Sequence, residues 1–424
     1  MQKTVHIIGA GISGLSAAVR LANAGVKVAV HEATQQAGGR CRSYFDAATN
    51  LTIDNGNHLL LSGNRHALAY ACTIGSEAGL VGPKRAQFPF VDLATGQRWE
   101  LDLGDSRWPS WVFDESRRVP DTGLTDYLAL TPLIWASQDK LVGDTIPCKG
   151  TLYKRLVQPL LLAALNVDPP EGSAGLAGAI VRETLLAGGQ ACRPLIARDG
   201  LSAVLIEPAV KFLQERGHSV QLGHELRAFT SSDGRIDALN FGDEDVIRIG
   251  PDDAVVMTVP PRAALSLLPG LKTPNKFRAI VNAHFRIDPP PDAVPILGVV
   301  GGLVEWLFAF PNRLSVTISN SDRLVNMPRE EVAQAIWRDV CKAVGATGEL
   351  RTELPKELPP WQIVRERRAT FAATPEQNSL RPGPVTALKN LFLAGDWTDT
   401  GLPATIEGSV RSGDRAADLV LRQA

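Results

Sequence analysis

Apolar residues along the chain switch between two spacings, and the switches mark its elements. Thr4 to Ile8 is a short apolar, β-branched run that predicts a buried strand. Ser13 to Ala24 is small and apolar on one face and predicts a helix, with Gly25 where a left-handed residue ends one. Val26 to Val30 returns to a strand pattern that Glu32 closes. Leu201 to Arg216 has helical spacing stopped by Gly217, and His218 to Leu222 predicts the strand after it. A hairpin turning at Asp233-Gly234 follows, then a strongly apolar strand from Asp253 to Val259, ended by Pro260 and Pro261. Asn390 to Leu393 is the last apolar strand, and a helix opening near Thr405 runs to about Leu421. No uncharged run reaches the roughly 18 residues of a membrane span. The nearest, Ile296 to Phe310, carries three glycines and Glu305 and predicts strand, turn and strand.

The first strand–helix–strand unit places Gly9, Gly11, Ser13 and Gly14 at its turn. Gly9 permits the tight turn, Gly11 lets the backbone approach a pyrophosphate, and Gly14 lets the helix pack closely on the strand. Glu32 lies eighteen residues past Gly14, where a carboxylate accepts both ribose hydroxyls of an adenosine. The unit therefore predicts dinucleotide binding. Ala37-Gly38-Gly39-Arg40 follows almost at once, and bare amides with a guanidinium there form a second clamp on the same pyrophosphate.

The segment around Gly39 and Arg40 resembles the Gly-Gly-Arg motif of the flavin amine oxidase and carotenoid desaturase superfamily. The far end resembles it too, with an apolar strand running into Gly395-Asp396 and Pro403 to Gly413 opening the final helix. The resemblance implies an α/β fold with a Rossmann-like FAD-binding domain, a discontinuous substrate domain of mixed α+β structure, and FAD as cofactor. It implies that Asp396 holds the ribityl chain and that the backbone at Thr405 and Ile406 faces the pyrimidine edge of the flavin. A reduced flavin carries negative charge at that edge, which a helix N-terminus favours. Glu407 reads either as a catalytic group or as a first-turn acid suited to the helix dipole. A backbone contact to the adenine is implied near Leu226. With motifs at both termini, the FAD domain is expected in three parts, residues 1–75, 200–261 and 386–424. The substrate domain takes 76–199 and 262–385.

Net charge is −1, which gives no reason to expect nucleic acid as a partner. The five cysteines are scattered, without a C-x-x-C pair, which fits a reducing cytoplasm and argues against disulfides or a zinc site. No metal is expected. Cys41, beside the Gly-Gly-Arg turn, reads as a small core residue or as the point of a covalent flavin link. With the first strand opening at Thr4, no secretory leader is expected.

Asp54-Asn55-Gly56-Asn57-His58 is the polar patch of most interest. Related flavoproteins bring a strand past the isoalloxazine ring at this point. Gly56 permits close backbone approach there, Asn57 and His58 reach buried polar groups or the substrate, and a histidine near pKa 6.5 is a natural proton donor. The intervening regions are apolar, with Trp99, Trp108, Trp111, Trp135 and Trp306 among their aromatics and a nearly continuous apolar run from Leu156 to Leu165. Most of these side chains are core; the scarcity of charged clusters leaves room for a lipid substrate and for contact with a bilayer surface.

Three strings narrow the resemblance: Asp54 to His58, Arg365-Glu366-Arg367-Arg368-Ala369-Thr370-Phe371-Ala372, and Ala394 to Gly408. They are similar to the bacterial squalene-associated flavin enzymes, the hydroxysqualene dehydroxylase family of hopanoid biosynthesis. That family implies reductive removal of an allylic hydroxyl from hydroxysqualene, a hydrophobic isoprenoid, with hydride from reduced flavin quenching an allylic cation. His58 is then the leading acid and Asp399, in the loop beside the flavin motif, the second. Oxidative desaturation of a carotenoid precursor, amine oxidation and a flavin-free prenyl carrier are the alternatives within the fold. No second dinucleotide fingerprint identifies the electron donor. The location implied is cytoplasmic, peripheral on the inner face of the membrane.

Overall fold

The computed structural model describes residues 3–242, 244–345 and 354–423. Its centre is a five-stranded sheet in the order Ser219–Leu222, Lys27–Glu32, Thr4–Ile8, Ala254–Met257, Leu391–Leu393, with every pairing parallel. Parallel strands are buried on both faces, and Val5, Ile7, Val255 and Val256 are all fully inaccessible. The helix Ile12–Asn23 ends as its pattern predicts, with Gly25 at φ +80°. It packs against the last helix, Ile406–Arg422, on one face of the sheet.

That helix pair meets through small residues. A Cβ on Gly413 would stand 2.1 Å from the Ser16 hydroxyl and 2.2 Å from the Ser13 carbonyl. Gly14 is equally constrained, since a Cβ there would fall 2.0 Å from the Gly9 carbonyl. Ser13 and Ser412 hydroxyls are hydrogen-bonded across the interface at 2.8 Å, and Ser412 also accepts from the Gly395 amide.

A small antiparallel sheet, Ala228–Ser232, Arg235–Asn240 and Val246–Arg248, sits beside the parallel one. Its first hairpin turns at Asp233 and Gly234, both at positive φ (51° and 73°), the conformation that an Asp-Gly pair adopts readily. The third large element is a seven-stranded mixed sheet, running from Trp361–Phe371 at one edge through Phe277–Arg286, Arg313–Ile318, Trp306–Phe310, Ile296–Val300 and Gln87–Asp92 to Arg98–Asp102. Ile296 to Phe310 is thus two strands around Gly301, as its glycines predict. One face of this sheet is covered by the helix Arg329–Gly345, and the other by short helices between residues 110 and 191.

Two apolar stretches differ from simple helices. Leu201 to Arg216 opens with a wide π-turn over Ser202–Ile206 before Glu207–Glu215, and Leu156 to Leu165 is preceded by the same feature over Tyr153–Val157. In both, a proline (Pro208, Pro159) stands at the start of the α-helical part. Proline lacks the N–H that would close an α-turn to the residue four back, and the wider turn absorbs its ring. No described helix is long and apolar enough to cross a membrane.

We expect Gly413→Ala to lower the unfolding free energy by about 1–3 kcal/mol, the usual cost of overpacking, in a urea titration. Gly345→Ala, where an added Cβ meets nothing, is the matched control.

Candidate functional site

The turn after the first strand is built to leave backbone bare. Gly9 is held at φ +106° with its amide donating to the His31 carbonyl at 2.7 Å, while a Cβ at Gly11 would meet no atom within 4 Å. Gly39, at φ +55°, faces it: a Cβ there would meet only the Gly11 Cα, at 3.5 Å. Two bare glycines therefore front the open space in which a pyrophosphate fits, and Gly38, at φ +111°, bridges back to Gly11.

Arg40 and Asp396 bring the two ends of the chain together. The Arg40 guanidinium donates to the Asp396 carboxylate at 2.5 Å and to the Ala369 carbonyl at 2.5 Å. Burial alone would lower the Arg40 pKa, but the Asp396 carboxylate outweighs it and holds the guanidinium firmly charged. Gly395, at φ +140°, lies against the Trp397 indole, which makes room for the Asp396 turn. The Thr405 hydroxyl caps the last helix by accepting from the Gly408 amide at 3.0 Å. The amides of Ile406 and Glu407, at the first positions of that helix, have no partner within it.

Glu407 is an acid in the first turn of that helix, as one of its two sequence readings has it, and it serves a second helix as well. Its buried carboxylate accepts from the amides of His66 and Ala67, at 3.2 and 2.9 Å, so it caps a neighbouring helix, Arg65–Thr73. Cys41 is buried, and burial pushes its thiol up to about 12, which suits a core residue. Glu32 places one carboxylate oxygen 2.7 Å from the Ala10 amide and gives the other to Thr34, at 2.8–2.9 Å. Oε1 thus accepts twice from Thr34, and Oε2, with the Ala10 amide as its partner, keeps a lone pair that a ribose hydroxyl can use. Leu226 is buried among Ile8, Met257 and Leu393.

The polar patch Asp54 to His58 is held from the seven-stranded sheet. Asn282 accepts from the Asn57 amide at 3.3 Å and donates to the Asn55 carbonyl at 3.5 Å, and its ring of contacts is completed by Thr317 at 2.8 Å. A Cβ on Gly56 would press on the Asn282 amide at 3.1 Å. The Asn57 amide group donates to the Val316 carbonyl and the Thr317 hydroxyl, while its Oδ1 is buried without a partner. Beneath them His284 bonds to the Ser315 hydroxyl at 2.9 Å and the Asp54 carbonyl at 3.1 Å. His58 is partly accessible but enclosed by protein. Burial, and then Arg40, lower its pKa to about 4. It is therefore a neutral imidazole near pH 7, which corrects the expectation of a side chain titrating near 6.5. Asp399 stands apart: it is exposed, and its carboxylate accepts from the Gly401 amide at 3.2 Å in a surface turn.

Sequence reading missed two supports. Arg381 is buried and donates to the carbonyls of Asp396 and Thr398, the Thr400 hydroxyl and Asn378, pinning the Asp396 loop from below. Burial lowers its pKa to about 10. The second is a row of imidazoles: His6 contacts His31 at 3.2 Å, His31 contacts His224 at 2.9 Å, and His224 reaches Asp245 at 2.8 Å. With Asp245 ionised, each ring donates toward it and accepts from the ring behind. The row anchors the segment that leads to Leu226, since the His224 amide also donates to the Glu32 carbonyl at 2.7 Å. No cue in the sequence links residues 6, 31 and 224 except that 6 and 31 fall on adjacent strands and 224 follows the next strand, Ser219–Leu222.

Residues 12–421 match the family model for flavin containing amine oxidoreductase. The chain is 72% identical to the hydroxysqualene dehydroxylase of Sinorhizobium fredii over all of this chain and 99% of that one. It is 45% identical to that of Zymomonas mobilis over 98% of both. The chain belongs to the flavin containing amine oxidoreductases, in their hydroxysqualene dehydroxylase branch. In fold it is similar to the cyclohexylamine oxidase of Brevibacterium oxydans, with a TM-score of 0.71 at 18% identity, covering 100% of this chain and 99% of that one. The family carries a flavin, and the bare Gly11–Gly39 cradle with Arg40 and Asp396 at its rim fits one.

His31, His58 and His284 refuse a proton in the fold until pH falls to about 3, 4 and 3, chiefly through burial. Unfolded, they take one up below about 6.5. The unfolded chain thus binds more protons across that window, and stability is expected to fall as pH drops from about 6.5 toward 3. Glu305, raised to about 7 by burial, opposes this between about 4.5 and 7 as one group against three. Urea midpoints at pH 7, 6 and 5 check the sign, and His284→Gln is expected to flatten the slope.

Proposed function

We propose that the chain, with FAD bound, reductively removes the hydroxyl of hydroxysqualene to give squalene and water. The observation that carries the reading is the full-length identity to hydroxysqualene dehydroxylases, joined to a cradle of flavin type at Gly11, Gly39 and Arg40. The net change is two electrons and two protons taken up as a C–O bond is replaced by a C–H bond. A bound reduced flavin supplies the hydride.

The chain's own residues do the rest. Gly9, Gly11, Ser13, Gly14 and Gly39 present backbone to the diphosphate, with Arg40 as its counter-charge. Glu32 takes the ribose hydroxyls, Leu226 borders the adenine, and Asp396 takes the ribityl hydroxyls. The Thr405-capped helix start, at Ile406, stabilises negative charge on the pyrimidine edge. Gly56 and Asn57, fixed by Asn282 and Thr317, form the backbone wall beside the ring. Departure of the hydroxyl leaves an allylic cation, and an apolar surround protects it from water. His58, neutral at pH 7, assists that departure by donating its ring N–H as a hydrogen bond. Asp399 is the second candidate for this role, its carboxylate already accepting from the Gly401 amide in a surface turn.

The division of the chain into five segments at 75/76, 199/200, 261/262 and 385/386 belongs to the same reading, with the flavin on residues 1–75, 200–261 and 386–424 and the substrate on the two between. So does peripheral contact with the inner face of the membrane, where a C30 hydrocarbon resides. Trp108, Phe113, Leu128 and Trp135 are 78, 75, 64 and 79% exposed within one short stretch, a density of bare aromatics suited to a bilayer interface. The five free cysteines accord with a reducing compartment.

Anaerobic single turnover tests the chemistry: dithionite-reduced enzyme is mixed with hydroxysqualene while the flavin spectrum and extracted lipid are followed. One squalene per reoxidised flavin is expected; a flavin that stays reduced would sink the reading. His58→Ala is expected to slow reoxidation about 10²-fold with flavin still bound. Trp108→Ser with Trp135→Ser is expected to shift the protein from floating liposomes to the soluble fraction, leaving turnover in detergent unchanged.

A further inference from the structure

Reductive dehydroxylation consumes two electrons per turnover, and the sequence holds a single dinucleotide fingerprint, at Gly9 to Gly14. The electrons come from a donor whose binding place no sequence motif marks. The edge strand Trp361–Phe371 lies between the flavin clamp and solvent. On its inner side the Ala369 carbonyl accepts from Arg40 and the Glu366 carboxylate accepts from Asn55 at 3.3 Å. On its other side Arg365 and Arg367 reach across to the loop at residues 325–327, donating to the Val325 and Met327 carbonyls and to the Asn326 side chain.

Three more arginines join them. Arg323 donates to the Asn320 carbonyl, Arg329 to the Ile363 carbonyl, and Arg42, next to the clamp, to the Gly39 carbonyl. Arg323, Arg329 and Arg367 are exposed, and Arg42 and Arg365 are half-buried. Among the described residues none of the five forms an ion pair. Of the neighbouring carboxylates, Asp322 pairs with Arg278, Glu366 accepts from Asn55 and Asp46 from Thr49, while Glu330 and Glu331, which follow Arg329 on its helix, form no ion pair with these arginines. Arg365 is lowered by burial and then by Arg329 and Arg367, so like charges crowd it without relief. Burial and then the Asp46 carboxylate raise the Tyr44 pKa, with Arg42 and Arg329 opposing them, and its neighbour Phe45 is 63% exposed. In a chain whose total charge is −1, five guanidiniums outside any ion pair outnumber Glu330 and Glu331 and give this face an excess of positive charge, with the exposed Phe45 on the hairpin that follows Arg42.

We propose that this surface, Arg42, Arg323, Arg329, Arg365 and Arg367 with Phe45, docks an acidic electron-carrier protein that reduces the flavin. The proposal rests on the reductive reading above. The guanidiniums are spread over a hairpin, a loop, a helix start and an edge strand, a footprint suited to a complementary protein face more than to one phosphate group. The step transfers electrons only: two one-electron deliveries from a reduced iron–sulfur protein, or from a flavodoxin hydroquinone, reduce the flavin, with protons taken from solvent. Charge complementarity sets the encounter rate, which falls steeply with salt.

The test uses the flavin-loaded full chain under anaerobic conditions, mixed by stopped flow with a reduced plant-type [2Fe–2S] ferredoxin and, separately, a reduced flavodoxin. At least one is expected to reduce the flavin with a second-order rate constant that drops about tenfold or more between 20 mM and 300 mM salt. Arg323→Glu with Arg367→Glu is expected to lower that constant at least about tenfold at low salt. Arg323→Lys with Arg367→Lys keeps most of it. Dithionite reduction and subsequent reoxidation by hydroxysqualene serve as the internal reference. If both proceed normally in the Glu variant while carrier reduction is lost, the surface is a docking site. If reoxidation by hydroxysqualene fails in the parent, the reductive reading fails and this proposal with it. Carrier reduction insensitive to salt and to the Glu variant overturns the docking site. So does rapid reduction by NADPH alone, or a Glu variant that loses only binding to vesicles of anionic lipid.

Discussion

Everything at the cofactor end of this molecule depends on how closely two helices approach. The first and the last helices of the chain touch through Ser13, Ser16, Ser412 and Gly413, with no space for even a methyl group at Gly413. Gly14 presses as tightly on the Gly9 turn. These contacts set the height of the last helix over the sheet, and so where Asp396 and the capped start at Thr405 fall relative to Arg40. A wider approach would separate the Arg40–Asp396 pair, which is the seam between the two ends of the sequence. Small side chains here act as spacers, and their value lies in the volume they leave out.

A second layer of control comes from the seven-stranded sheet. Asn282, His284, Ser315 and Thr317 occupy neighbouring positions on two paired strands and grip residues 54–57 through side-chain hydrogen bonds. Residues 54–57, which follow the first nucleotide-type unit in sequence, are therefore held by the seven-stranded sheet, and the neutral state of His58 follows from burial and then from the Arg40 charge.

Local pattern made the cofactor half legible. Glycine spacing, a β-branched run and a following helix are all short-range features, and the strands, the first helix and the Asp233-Gly234 hairpin fall where the pattern puts them. What escaped depends on long-range partners. Arg381 reads as an ordinary loop arginine until the fold buries it under Asp396. Glu407 sits in the first turn of a helix, yet its carboxylate serves a different helix, 340 residues earlier in the chain. The imidazole row joins residues 6, 31 and 224, and only strand order makes them neighbours. The π-turns were invisible for a different reason. Apolar spacing cannot distinguish a wide turn from an α-turn, although the prolines that cause them were in plain view.

The strand Leu391–Leu393 sits at one edge of the parallel sheet, and with the helix that follows it completes a site whose other half lies at residues 9–40. During synthesis the glycine turn and the Arg40 clamp leave the ribosome first and must wait for nearly the whole chain before Asp396 appears. Until then the first helix presents its small-residue face to no partner. Closure of this seam is thereby placed at the end of translation, and a chain cut before the last strand lacks the carboxylate that pairs with Arg40.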